Sequence, residues 1–130
     1  MDIQARTAMY RDFLSQEGFN PIVDEGGAIV FRCEGKNYII LVDDDGEFFR
    51  LVFPNFWSID SEDERIKVQV AALHASSRTK VTKIFPAQDD TWAVIEMFCN
   101  PPENFKSVFS RSMRSLQAGV RTFTEKMNED

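Results

Sequence analysis

The stretch Gly35-Lys36-Asn37-Tyr38-Ile39-Ile40-Leu41-Val42-Asp43-Asp44-Asp45-Gly46-Glu47-Phe48-Phe49-Arg50-Leu51-Val52-Phe53 decides the fold. Two runs rich in β-branched and aromatic residues flank an acidic, glycine-ended turn, the pattern of an antiparallel hairpin. Working back, Ala28 to Cys33 reads as a strand joined to Asn37–Val42 through Glu34-Gly35-Lys36, and Asn20 to Asp24 as a strand before Gly26-Gly27. The result is a four-stranded meander. Ahead of it, Ile3 to Gln16 places Met9, Tyr10, Phe13 and Leu14 at helical spacing until Gly18.

Beyond the meander, Pro54 ends strand pairing because it lacks a backbone donor. Ser61 followed by Glu64 fits a capping box, and Ile66, Val70 and Leu73 with Ala71 and Ala72 form the apolar stripe expected to bury a helix running to about Ser77. Lys80 to Phe85 and Thr91 to Cys99 read as a second hairpin about the turn from Pro86 to Asp90. Asn100 before Pro101-Pro102 starts the last helix, where Phe105, Phe109, Met113, Leu116, Val120, Phe123 and Met127 recur every three or four residues. The sheet or a second subunit must cover that stripe, so Phe109, Met113, Leu116, Val120 and Phe123 are candidate dimer residues. The element order α-ββββ-α-ββ-α implies an α+β fold, an antiparallel sheet flanked by three helices, and 130 residues suit one domain, 1–130.

Loops of two or four residues in the meander would set odd positions on one strand beside even positions on the next. One sheet face then carries Ile29, Phe31, Cys33, Tyr38, Ile40, Val42, Phe49, Leu51 and Phe53, which is uniformly apolar and marks the core. The other carries Ala28, Val30, Arg32, Asn37, Ile39, Leu41, Phe48, Arg50 and Val52, and Trp92, Val94, Glu96 and Phe98 repeat its mixture of apolar and charged residues. Two readings fit this second face: a contact surface for a protein partner, or a surface crossed by a helix with arginines at the rim. The first makes Val30, Arg32, Ile39, Leu41, Phe48, Arg50, Val52 and Trp92 candidate protein-binding residues.

Known chemistries lack their residues. His74 is the lone histidine, so acid–base relays and histidine metal sites have no second member. Asp43-Asp44-Asp45-Gly46 has the wrong spacing for a calcium loop and reads as a solvated turn. Gly26-Gly27 and Gly46 fit neither nucleotide-binding loop, and Ser76, Ser77 and Ser110 lie outside any nucleophile elbow. Neither enzyme activity, cofactor nor metal is expected. A net charge of −6 repels phosphate backbones and anionic membranes. No apolar run spans a bilayer, and Cys33 and Cys99 sit in apolar stretches as free thiols, so a cytoplasmic location is expected. Lys106, Arg111, Arg114 and Arg121 give the last helix a basic face, read as solvated surface or as a site for an acidic partner.

The opening helix, the segment Ile22-Val23-Asp24-Glu25-Gly26-Gly27-Ala28-Ile29-Val30-Phe31, the run Gly35 to Asp43 and the phenylalanine-rich strand after it resemble the YbjN-like bacterial family. That family is similar in fold to the small acidic chaperones of type III secretion, which are dimers that bind an extended segment of a client. The resemblance implies bacterial origin, a homodimer, and a chaperone-like or regulatory role without catalysis. The alternative reading from the residues is a small-ligand sensor whose apolar pocket is lined by Trp57, Trp92 and Phe98.

Overall fold

The strands are held in register by the meander that the sequence announces. The structure is a computed structural model describing residues 1–129. Its elements are α1 (Ile3–Gln16), β1 (Ile22–Val23), β2 (Ile29–Cys33), β3 (Lys36–Val42), β4 (Phe48–Phe53), α2 (Glu62–Arg78), β5 (Thr82–Ala87), β6 (Asp90–Phe98) and α3 (Phe105–Met127). A 3-10 turn, Pro102–Asn104, leads into α3. The antiparallel sheet has the strand order β1-β2-β3-β4-β6-β5.

Cys33 pairs with Lys36 across a two-residue turn, and Val42 pairs with Phe49 across six residues. The second loop is longer than expected, but its length is even, so the face assignment survives. Asp43 Oδ1 accepts the N–H of Asp45, and Asp45 Oδ1 accepts that of Glu47. These side-chain bonds shape the acidic run into a turn.

The chain forms two compact units, interleaved in sequence. One comprises Met1–Val52 with Glu96–Phe109, and the other Phe53–Ile95 with residues 110–129. In the first, α1 and the start of α3 pack on the predicted core face. Tyr10 meets Phe49 and Phe105, Phe13 meets Phe105 and Phe109, and Phe109 meets Phe31. Ile29, Phe31, Tyr38, Ile40, Phe49 and Leu51 are buried.

In the second unit Phe123 packs edge-on to Phe56 and Trp57, and Leu116 and Met113 are buried with it. The N-cap Ser61 accepts the N–H of Glu64 as expected, but the Glu64 carboxylate accepts the indole N–H of Trp57 at 2.7 Å. The capping box is thus half formed, its acid being taken by the tryptophan.

α2 is also rotated from its expected orientation. It buries Val68, Ala71, Ala72 and Ala75, while Ile66, Val70 and Leu73 face outward. Ser76 Oγ accepts the N–H of Ile84, and Arg65 reaches Asp89 and the Gln88 carbonyl, fixing this side of the helix to the β5–β6 hairpin. Small alanines let helix and strands approach closely, which the larger stripe would prevent.

Between α2 and β5, Val81 holds a φ of 54°, a left-handed conformation in which a β-branched side chain is strained. Val81→Gly relieves that strain and loses some of the gain to the freer unfolded chain. We expect a net stabilisation of roughly 0.5–1 kcal/mol in urea unfolding. A loss of stability would show that the valine side chain makes contacts worth more than its strain.

Candidate interaction surface

Both helical segments of the first unit lie on its core face, so the opposite face of β2–β4 carries no helix from that unit. The register places Ile22, Val30, Ile39 and Val52 in one row across four strands. One step along, Leu41 stands opposite Arg50. Ile22 is exposed, while Val30, Ile39, Leu41 and Phe48 are half-buried. Rows of β-branched and leucine side chains with their tips in water form a corrugated apolar surface on a hydrogen-bonded frame.

At the end of this surface, Arg50 Nε bonds Glu96 Oε2 at 2.7 Å, and the guanidinium lies 5.1 Å from the Phe48 ring centroid. Phe48 in turn contacts Phe98, which is 72% exposed. The pairing fixes the arginine and leaves two phenylalanine rings beside it. Arg32 is exposed, its Nη2 donating to the Gly35 carbonyl at the β2–β3 turn.

The structure thus gathers Val30, Arg32, Ile39, Leu41, Phe48 and Arg50 on one open face. Val52 lies on the same face but is fully buried, on β4, an interior strand between β3 and β6. Trp92 belongs to the second unit, where its indole N–H bonds Asn55 Oδ1 at 2.9 Å and its ring lies near Phe85. Of the tryptophans assigned to a ligand pocket, Trp57 is tied to Glu64 and Trp92 to Asn55, while Phe98 belongs to the first unit beside Phe48.

The stripe on α3 is core. Phe109, Met113, Leu116 and Phe123 are buried and Val120 half-buried, so folding of the chain itself covers what was read as a dimer seam. Lys106, Arg111, Arg114 and Arg121 point outward as its solvated side. Sequence reasoning passed over Ile22 and left Phe98 out of the candidate partner-binding residues. The alternation of β6, which puts Phe98 two residues after Glu96, was the available signal.

Both thiols are free, with Cys99 buried and Cys33 half-buried, and desolvation pushes both above the usual thiol range. A protonated thiol is a poor nucleophile, so neither is activated.

No family model matches the chain, and no curated protein does. Among solved structures, a chain of the HopA1–SchA chaperone–effector complex superposes with a TM-score of 0.63 at 15% identity, over 93% of this chain and 97% of that one. The fold is shared with a component of a chaperone–effector complex. A second structure, an uncharacterised protein from Methanothermobacter thermautotrophicus, gives a TM-score of 0.61 at 12% identity, covering 95% of this chain and 99% of that one. The α+β arrangement is therefore common to this chain and both of these structures. Among the described residues no helix is long and apolar enough to cross a membrane.

Proposed function

We propose that this protein is a non-enzymatic, chaperone-like or regulatory interaction module. It acts in the cytoplasm as a homodimer and holds an extended segment of a protein partner on its open sheet face. The observation that carries the reading is the apolar row Ile22, Val30 and Ile39 with Leu41, Phe48 and Phe98 beside it, on a face that no helix of its unit covers. An extended segment with apolar residues at alternate positions matches that spacing, because its side chains also point to one face with a period of two. The chaperone-like fold and the YbjN-like sequence pattern support the same reading.

A displayed library of random extended peptides tests it. The wild-type chain is expected to enrich segments with alternating apolar residues. Leu41→Asp should weaken binding of the selected segments at least about tenfold, since it places a charge in the centre of the contact. Leu41 is half-buried, so equal melting temperatures would show that folding is intact. Equal enrichment by the wild type and Leu41→Asp would remove the sheet face as the binding surface.

A further inference from the structure

The outward side of α3 is a strip of arginines with no acid in it. Arg111, Arg114 and Arg121 are exposed and all belong to the second unit. Among the described residues none of the three has an ion pair or a side-chain hydrogen bond. At about 100° of rotation per residue they fall within an arc of about 80°, centred opposite the buried Leu116. The chain has 21 acidic residues against 15 basic ones, yet α3 carries no Asp or Glu from Phe105 to Thr124.

This placement works against the isolated chain. Arg111 and Arg114 are neighbours at i, i+3, a spacing at which like charges repel. Ala118, four residues after Arg114 and three before Arg121, is where a carboxylate would pair with both, and the chain has none there. Elsewhere on the surface Arg11, Arg65 and Lys126 each stand beside an acid. Carboxylates supplied from outside would complete the strip.

The residue type and the surroundings narrow the source. A guanidinium is a planar fork that pairs both oxygens of a carboxylate, and it gives up water more readily than an ammonium does. None of the exposed large apolar residues lies on α3, so the strip has nothing to insert into a bilayer. An extended polyanion would also meet the net charge of −6 on the rest of the molecule. A short acidic segment touches the strip alone.

We infer that Arg111, Arg114 and Arg121 form a docking strip for an acidic segment of a partner protein, whose carboxylates lie along about 15 Å and pair with the three guanidiniums. The strip belongs to a different unit from the open face of β2–β4 and does not rest on the reading of that face.

Fluorescence anisotropy with a labelled oligoglutamate peptide tests it, with oligoglutamine as the blank. The wild type should bind the oligoglutamate, and more weakly as salt is raised, because exposed charges are screened. Changing all three arginines to glutamine should weaken binding at least about tenfold. Changing the exposed Lys67, Arg78 and Lys80 to glutamine removes the same charge elsewhere and should leave binding within about twofold. Equal melting temperatures would show that folding is intact, and Arg114→Gln alone, expected to lose about threefold, serves if the triple variant melts early. Absence of wild-type binding, or an equal loss in the two triple variants, overturns the strip. Tighter binding to phosphatidylglycerol vesicles or to a DNA duplex than to oligoglutamate overturns the acidic protein segment as its occupant.

Discussion

Replacing Phe105 with alanine lowers stability by about 3–5 kcal/mol, the largest loss expected from one truncation here. Phe105 is fully buried at the start of α3, where its ring packs edge-on to Tyr10 and Phe13 and tilts against Phe49. It joins a helix at one end of the chain, a central strand and the last helix. Alanine would leave a cavity the size of a ring, walled by other rings too rigid to collapse into it. Such a loss is a large share of the roughly 5–15 kcal/mol that a domain has in total. Urea unfolding followed by circular dichroism measures it. A loss under about 1 kcal/mol would mean that the aromatic cluster repacks around the gap.

Arg6→Met should have the opposite sign and raise stability by about 1–3 kcal/mol. Arg6 is only 1% exposed on the inner side of α1. One of its terminal nitrogens donates to the Asp43 carbonyl, while Nε and Nη1 are sealed from solvent and have no hydrogen-bond partner. A buried cation with two of its three nitrogens unpartnered keeps much of its desolvation cost. Methionine fills a similar volume without that cost, and the half-buried Asp43 can exchange its lost donor for water. Tyr10 provides a second readout. Burial pushes its hydroxyl above the usual tyrosine value, and the Arg6 charge draws it partly back. Without Arg6 the Tyr10 titration should move further up.

The sign of the accompanying pH dependence follows from proton counting. A phenol whose folded value is raised keeps its proton after the unfolded chain has lost its own. The stability it contributes is complete below pH 10.0, the unfolded value, and is lost as pH rises through the folded one. Arg6→Met should extend that alkaline loss to higher pH. A variant destabilised by more than about 1 kcal/mol at neutral pH would show that the carbonyl bond is worth more than the burial costs.

The core face of β2–β4 was legible because strand alternation has a period of two, and an even loop preserves the parity from strand to strand. That is why Ile29 through Leu51 sorted correctly even though the β3–β4 connection is longer than supposed. The residues of the opposite face sorted by the same rule, except that Val52 proved buried. Whether a side chain of mixed size reaches water depends on its neighbours across strands, and spacing along one strand does not supply them.

Helix orientation was the harder problem. In α3 one apolar side dominates, so Phe105 to Met127 could only point inward. In α2 the expected stripe mixed two sides of the helix: its Ala71 and Ala72 are buried with Val68 and Ala75, while Ile66, Val70 and Leu73 face outward.

By itself the sequence determined the element order, the ends of α1, the two hairpins and the apolar side of α3, because local periodicity, turn chemistry and proline placement act within a few residues. Only the tertiary structure decided the rotation of α2, the capture of Glu64 by Trp57 and the burial of Arg6. Each depends on how closely segments distant in sequence can approach. For α2 the small Ala71, Ala72 and Ala75 permit the close packing against the β5–β6 hairpin that Ile66, Val70 and Leu73 would obstruct, and that steric choice turns the larger residues outward.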